Sequence, residues 1–200
     1  MGSDDEATGA VEVHPATVDR FDDLAAVLGP KKVDAPVCWC LAYRVPNAEN
    51  RRLLGPDRPA RLRSFCAEDP PPGLIAYVDG KPAGWCSVGP RASLPRLVNS
   101  RTIPRVDELP VWSVICFVVK AGYRGQGVSA RLLAGAVEHA RRHGAPALEG
   151  YPVDPGGARI SSTLAYVGST SLFEAAGFVR VRPTTSTSGG APRWVMRLPL

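Results

Sequence analysis

The residues best suited to chemistry in this sequence form a glycine-rich stretch, Arg124-Gly125-Gln126-Gly127-Val128-Ser129. It joins an apolar, β-branched run to a run with helical periodicity. The first N–H groups of a helix have no intrahelical acceptor, and glycine lets a ligand approach the main chain closely. The stretch therefore predicts a site for phosphate groups.

A second group combines aromatic side chains with a cation in a short segment, Cys38-Trp39-Cys40-Leu41-Ala42-Tyr43-Arg44. The π faces of Trp39 and Tyr43 are suited to holding a cation. Packing of both rings at the edge of the core is an equally good interpretation, and the sequence leaves the two open.

Glu149 is the candidate proton acceptor, because it stands in a predicted strand next to the central one. A salt bridge is the competing interpretation of this carboxylate. Cys116 is a possible nucleophile, but its place in an apolar strand favours a buried core thiol. The five cysteines favour a reduced protein, and no standard ligand spacing predicts a metal site.

The elements that must position these residues follow from periodicity. Val111–Val119 is a strand covered on both faces, and the run from Val128 carries a helical apolar face that ends before Gly144. Leu74–Val88 is predicted to be a hairpin around Asp79-Gly80. The other predictions are strands at 11–15, 147–153, 178–181 and 194–198, helices at 21–28 and 59–67, a long connection over 91–110, and loops at 154–165 and 184–191.

The glycine-rich stretch resembles the acetyl-CoA signature of the GCN5-related N-acetyltransferase (GNAT) superfamily, with Ser129 where Gly or Ala is commoner. The stretch 168–178, which ends in Glu174-Ala175-Ala176-Gly177-Phe178, resembles the second conserved element of that superfamily. The resemblance implies an α/β fold with a mixed sheet of about seven strands and about four helices. Residues 1–10 are expected to be a disordered tail and 11–200 one domain.

The resemblance also implies an acetyl-CoA-dependent transfer to a primary amine by direct attack in a ternary complex. The acyl-CoA arm would bond the exposed backbone of Phe117, Val118 and Val119. The pyrophosphate would bind the backbone of residues from Arg124 to Ala130, which are Arg124, Gly125, Gln126, Gly127, Val128, Ser129 and Ala130. Trp39 and Tyr43 would line the acceptor pocket. The family usually offers a Tyr as proton donor where this chain has Phe173. Either another hydroxyl serves in its place, with Tyr166 the candidate and Tyr151 the alternative, or the CoA thiolate leaves without assistance.

Two other functions stay open. Gly125-x-Gly127-x-x-Ala130 also fits a dinucleotide fingerprint with Glu149 about 20 residues on, which would suit an NAD or FAD oxidoreductase. However, residues 120–124 separate the strand from the first glycine, and the upstream hairpin does not fit such a domain. A regulatory module that binds CoA without turnover is the other alternative, suggested by Phe173. A nucleotide-triphosphate P-loop is excluded, because no Lys-Ser or Lys-Thr follows the glycines.

Composition limits the class of protein. The 44% hydrophobic content is typical of a globular chain, and the formal charge of +5 favours an anionic ligand. Basic residues are scattered, so we expect a polyphosphate cofactor rather than nucleic acid. No apolar run is long enough for a membrane span. The expectation is a cytoplasmic monomer or homodimer without a metal, whose acceptor and acyl chain length the sequence does not specify.

Overall fold

The computed structural model describes residues 10–31, 36–157 and 165–200, and a mixed sheet organises them. Its strands are β1 (Val11–Pro15), β2 (Gly73–Val78), β3 (Lys81–Pro90), β4 (Trp112–Val119), β5 (Ala147–Gly150), β6 (Val179–Ser188) and β7 (Ala191–Pro199). Their order is β1-β2-β3-β4-β5-β7-β6. Neighbours are antiparallel except β4 and β5, which are parallel. This confirms the predicted mixed sheet of seven strands.

Six helices of the described residues flank the sheet. They are α1 (Phe21–Leu28), α2 (Asn47–Arg52), α3 (Asp57–Cys66), α4 (Pro95–Val98), α5 (Val128–Arg142) and α6 (Thr170–Ala175). The two beyond the expected number, α2 and α4, are short and lie where the sequence has few apolar residues at helical spacing. Helical periodicity cannot be recognised in so few residues.

Helix α5 confirms the predicted amphipathic helix. Its buried side chains are Val128, Leu132, Leu133, Ala136, Val137, His139 and Ala140. Glycines on both sides allow α5 to pack closely against the sheet. A Cβ on Gly84 of β3 would lie 2.9 Å from a methyl of Val128, and a Cβ on Gly135 of α5 would lie 2.7 Å from Val13. Gly144, with φ +67°, follows the last turn in the left-handed conformation expected of a helix end.

Strand β4 carries a bulge in its middle. Cys116 pairs with Ser87 whereas Val114 pairs with Val88, so Ile115 is the extra residue. As a result Ile115 and Cys116 both contact the apolar cluster around Leu94 and Tyr151. A bulge re-aims the side chains that follow it, which strict alternation along a strand cannot predict.

Strands β4 and β5 separate after a short paired section. Their parallel register runs from Trp112 opposite Leu148 to Val114 opposite Gly150, where β5 ends. Strand β5 is therefore shorter than the predicted 147–153. At Gly150 a Cβ would lie 2.0 Å from the ring of Phe173, so this ring requires glycine there. The second half of β4 has one edge on β3 and the other facing the opening.

The predicted loop at 184–191 is wrong. Strand β6 continues to Ser188, and β7 starts at Ala191, with Thr187 opposite Pro192. The Thr-rich sequence suits an extended backbone, and Gly189 and Gly190 with positive φ make the turn. The expected disordered tail lies outside the described residues up to residue 9, and so does the 158–164 part of the expected loop at 154–165.

Candidate functional site

The glycine-rich loop follows β4 and leads into α5. Gly125 and Gly127 have φ of +78° and +73°, values that side chains rarely adopt. Gly127 is the N-cap of α5, and its carbonyl accepts the hydrogen bond of Arg131 N at 3.1 Å. The preceding N–H groups at the start of α5 therefore have no intrahelical acceptor, and they point toward the loop.

Side chains of the loop bond to its own main chain. Arg124 Nε donates to the carbonyl oxygen of Val119 at 3.2 Å, and Gln126 Nε2 donates to that of Gly122 at 3.0 Å. These bonds fold the loop back on the end of β4. A depression of about 300 Å³ lies there, and its lining is Val119, Tyr123, Arg124, Gly125, Gly127, Val128, Ser129, Ala130 and Leu172. The backbone dipole of α5 and the Arg124 cation make this depression suitable for an anionic group.

A second cavity, of about 410 Å³, lies against the middle of β4. It brings together Trp39, Tyr43 and Tyr166, which the sequence analysis proposed from two separate arguments. The full lining is Val27, Leu28, Val37, Cys38, Trp39, Cys40, Ala42, Tyr43, Arg96, Ile115, Cys116, Val118 and Tyr166. We call it the acceptor cavity. Trp39 is almost fully buried, so its ring both packs in the core, beside Leu24 and Trp85, and forms a wall.

Arg96 is the one charged side chain in the described lining of the acceptor cavity. Its guanidinium lies 5.2 Å from the ring centroid of Tyr43, within the range of a cation–π contact. Tyr166 is 37% exposed. Burial, followed by the neighbouring Tyr43, raises the pKa of the Tyr166 phenol, so at neutral pH it remains a proton donor.

Consecutive residues of β4 face the two cavities. Val119 lines the depression at the glycine loop, and Val118 lines the acceptor cavity. Alternation along a strand sends neighbouring side chains to opposite faces. Phe117 is buried between Phe173 and the core of α5. The strand thus separates a region suited to an anionic ligand from an apolar region.

Glu149 does not line either cavity. Its side chain is 2% exposed, and its Oε1 accepts a hydrogen bond of 2.7 Å from Arg197 Nη2 and one of 3.1 Å from Arg197 Nε. The other oxygen, Oε2, accepts from the Tyr151 hydroxyl at 3.0 Å. These contacts favour the salt-bridge interpretation of Glu149, and its role as proton acceptor remains a prediction.

The surroundings of Glu149 form a buried ionic cluster at the start of β4. Tyr151 also bonds to Ser113 Oγ at 2.8 Å, and Arg91 Nε lies 4.0 Å from Glu149 Oε2. Arg197 extends the cluster to Asp107, whose pKa it lowers. Arg91 and Asp107 come from the 91–110 connection, so this connection supports the interior of the sheet, and it contributes Arg96 to the acceptor cavity.

Cys116 is half-buried: it packs against two apolar core clusters, as predicted, and it also lines the acceptor cavity. The bulge at Ile115 exposes Cys116 to the acceptor cavity, where its Sγ lies 3.4 Å from Cys40 Sγ. Phe173, by contrast, is fully buried and packs edge-on to Phe117 and Phe178. Ser169 caps α6, its Oγ accepting from Leu172 N.

Sequence reasoning missed three residues of the site: Arg96, Cys40 and Arg197. Arg96 stands in an irregular connection, and nothing nearby in the sequence marks it. The Cys38-Trp39-Cys40 spacing is not a redox motif, so it does not mark Cys40 as reactive. Arg197 follows the strand pattern of its neighbours, and only the pairing of β5 with β7, which sets it opposite Glu149, reveals its partner.

The described residues contain neither a group of metal ligands nor a membrane-spanning helix. Within 10–31, 36–157 and 165–200, no three His, Cys, Asp or Glu side chains are grouped as metal ligands would be. In the same segments, no helix combines the length and apolarity needed to span a bilayer.

Comparison with solved structures shows a shared fold. A ribosomal-protein-alanine N-acetyltransferase from Brucella melitensis has 20% sequence identity and a TM-score of 0.53, with coverage of 94% of this chain and 99% of that one. A polyamine N-acetyltransferase of Drosophila melanogaster has 13% identity and a TM-score of 0.55, covering 96% and 100%. The PaiA N-acetyltransferase of Thermoplasma acidophilum, solved in complex with coenzyme A, has 13% identity and a TM-score of 0.52, covering 96% and 99%.

Comparison with curated proteins finds no match. A family model, described as the acetyltransferase (GNAT) family, matches residues 42–154, which is more than half of the chain. The matched region runs from the wall of the acceptor cavity through the glycine loop to the end of the β5 region. This match and the shared architecture establish that the chain belongs to the GNAT acetyltransferase family.

Proposed function

We propose that this protein transfers the acetyl group of acetyl-CoA to a primary amine by direct attack within a ternary complex. The observation that carries the proposal is the opening between β4 and β5 after Gly150, with the glycine loop at its end and the acceptor cavity beside it. The membership of the family supports acetyl transfer, and a relative solved with coenzyme A supports this co-substrate.

The residues present fit acetyl-CoA. The left-handed glycines and the first N–H groups of α5 suit a diphosphate, and Arg124 adds a cation. Beyond Val114, one edge of β4 faces away from β3, so Phe117 and Val118 can present backbone groups to an amide-containing arm. Bound acetyl-CoA supplies an activated thioester carbonyl. The chain holds this carbonyl near the amine and removes bulk water from it.

The cavity walls support two further proposed roles. Trp39 and Tyr43 confine the acceptor, so its nitrogen reaches the thioester in a limited set of orientations. Tyr166 lines the same cavity and keeps its proton at neutral pH, so it is the proposed donor to the departing CoA thiolate. The buried Glu149 would reach the amine only through a chain of water molecules.

The lining also suggests the class of amine. A polyamine needs carboxylates for its additional charges, and the described lining of the acceptor cavity has Arg96 as its charged side chain and otherwise apolar, aromatic and thiol groups. A second positive charge beside Arg96 would be repelled. We therefore propose a compact aromatic or aliphatic amine, with a carboxylate favoured by Arg96.

Release of free thiol from acetyl-CoA with a panel of amines tests both levels of the proposal. We expect turnover with phenethylamine and a higher kcat/KM with phenylalanine, which adds a carboxylate to the same skeleton. Arg96→Gln should remove this preference and leave phenethylamine turnover unchanged. Spermidine as the best substrate would overturn the acceptor class.

Binding measurements separate the alternatives. Titration calorimetry should detect acetyl-CoA binding and no binding of NAD or FAD. Acetyl-CoA binding without thiol release with any amine or peptide would support the regulatory module, which Phe173 suggested. Binding of NAD and not of acetyl-CoA would overturn the proposed function entirely.

A further inference from the structure

The floor of the acceptor cavity contains a pair of thiols from distant parts of the chain. Cys40 follows the α1 segment and Cys116 stands on β4, yet their Sγ atoms are 3.4 Å apart, with one thiol donating to the other. Both line the cavity, and both are free cysteines. Such a separation places the two sulfurs in van der Waals contact, and a disulfide requires them to move to a bond length of about 2 Å.

The backbone around Cys40 is held in an unusual conformation. Trp39 and Cys40 have φ of +49° and +51°, a region that side chains rarely adopt, least of all in succession. Strain of this kind persists only where surrounding contacts fix it. Across this turn the Leu41 N–H donates to the Cys38 carbonyl oxygen at 3.1 Å. Farther along the segment, the buried Arg44 guanidinium donates to Ser87 Oγ at 2.9 Å and to the carbonyl oxygens of Val88 and Pro72, which anchors the segment. The turn aims Cys40 at β4.

The surroundings of the pair favour a thiolate on Cys40. Trp85 is fully buried and donates its indole N–H to Cys40 Sγ at 3.1 Å. Contact with Cys116, this N–H and the nearby Arg44 cation outweigh burial and lower the pKa of the Cys40 thiol. The core thiols differ, because burial raises the pKa of Cys66 to about 11 and that of Cys86 further. A thiolate is the reactive form toward oxidants.

We propose that Cys40 and Cys116 are a redox-active thiol pair, which a peroxide converts into a disulfide that ties the segment around Trp39 and Tyr43 to β4. The Cys40 thiolate attacks one peroxide oxygen, the O–O bond breaks, and the leaving hydroxide takes a proton to become water. Cys116 then attacks the resulting sulfenic sulfur, and its oxygen leaves as a second water. Two thiols and one peroxide thus yield one disulfide and two waters.

The bond would alter the acceptor side of the site and leave the cofactor side alone. Cys40 and Cys116 belong to the lining of the acceptor cavity, whereas the lining of the glycine loop depression includes neither. Drawing the sulfurs together pulls two walls of the cavity toward each other. The oxidised protein should therefore bind acetyl-CoA normally and acetylate amines poorly. This second expectation rests on the proposed function; the disulfide itself does not.

The direct test is peptide mapping of the full chain after treatment with hydrogen peroxide and alkylation under denaturing conditions. We expect a Cys40–Cys116 cross-linked peptide, loss of two hydrogens from the intact mass, and complete reversal by dithiothreitol. Cys66 and Cys86 should remain alkylatable. Failure of peroxide to cross-link these two residues, or cross-linking of either to another cysteine instead, would overturn the proposal.

Three variants accompany this test. Cys38→Ser removes the exposed thiol of the same segment and should leave the cross-link unchanged, whereas Cys116→Ser should abolish it. Trp85→Phe keeps an aromatic ring and removes the N–H donor, so the rate of cross-linking at neutral pH should fall several-fold. An unchanged rate in a folded Trp85→Phe protein would exclude thiolate stabilisation as the cause of reactivity.

Measurements of acetyltransferase activity test the effect on the acceptor side separately from the cross-link. After oxidation, amine acetylation should fall at least 5-fold, while the Kd for acetyl-CoA stays within twofold. Equal turnover of the reduced and cross-linked forms would refute the effect on the acceptor side. Absence of turnover in both forms would count against the proposed function. The mass measurement would still decide independently whether the cross-link forms.

Discussion

The residues at the two ends of β4 are stabilised by different kinds of contact. At its C-terminal end, the loop from Arg124 to Ser129 relies on main-chain N–H groups and two left-handed glycines within one short run of sequence. At its N-terminal end, Ser113 belongs to a buried cluster in which Glu149, Arg91 and Arg197 come from three other segments. The first end is exposed and suited to a ligand. The second is buried and bonded mostly within itself, although Arg91 Nε has no hydrogen-bond partner there.

This difference shows that the same residue chemistry has different consequences according to what surrounds it. A carboxylate beside a cleft can accept a proton, whereas one bonded to an arginine and a tyrosine hydroxyl mainly stabilises the fold. The predictions below test whether one end of β4 binds ligand and the other stabilises the sheet.

The largest effect is expected from Arg197→Leu. This change leaves Glu149 buried without its closest cation, and breaking such a pair costs about 3–5 kcal/mol of unfolding free energy. Urea unfolding monitors it. The control is Arg180→Leu, on the neighbouring strand β6, whose partners Asp154 and Glu174 are more exposed, so less than about 1 kcal/mol should be lost.

Glu149→Gln decides between the two interpretations of this residue. If the carboxylate mainly serves the ion pair, the melting temperature should fall and kcat per folded molecule should stay within a few-fold of wild type. If it accepts the proton of the amine, kcat should fall by about 100-fold or more. We expect the first result, because both carboxylate oxygens of Glu149 already accept hydrogen bonds.

The next effect concerns the glycine loop. Gly127→Val places a β-branched side chain at φ +73°, which costs more than about 1–2 kcal/mol and distorts the start of α5. Acetyl-CoA affinity measured by calorimetry should fall at least about 10-fold. Gly122→Val is the matched control, because a Cβ there meets nothing within 4 Å and φ is not positive. Equal losses in both variants would contradict a main-chain phosphate site.

A smaller effect is expected between the two ends, at Tyr166. Tyr166→Phe removes the proposed proton donor, and kcat should fall by less than about 10-fold, because CoA thiolate leaves readily without assistance. Tyr43→Phe removes a hydroxyl from the same cavity and should alter the KM for the amine and not kcat. A kcat unaffected by Tyr166→Phe would remove Tyr166 from the mechanism.

The last effect appears only at acidic pH, and it lies behind the N-terminal end of β4. His139 on α5 packs edge-on to Trp112, its Nε2 is buried without a hydrogen-bond partner, and burial lowers its pKa to about 4. The unfolded chain takes up this proton near pH 6.5, so folding stability should fall as the pH drops from about 6.5 to 4. His139→Phe should flatten the melting temperature over this range. If the pH dependence of the melting temperature is unchanged in this variant, other titratable groups cause it.

The elements that the sequence predicted correctly depend on local sequence features. The apolar pattern of α5, the Asp-Gly hairpin and the glycine loop depend on neighbouring residues, and the structure confirms each as an element. The acceptor cavity combines residues from α1, the segment after it, α4, β4 and the turn at Tyr166. Which residues line this cavity depends on the bulge in β4 and on the packing of distant segments. Neither has a local signal in the sequence.

The sequence by itself determined the strand, loop and helix from Trp112 to Arg142, because periodicity and glycine conformations act over a few residues. Only the tertiary structure decided the partners of Glu149 and Cys116. Strand β7 places Arg197 opposite Glu149, and the bulge at Ile115 turns Cys116 toward Cys40. Burial and long-range pairing set the chemistry of these side chains, and both arise only when distant segments pack together.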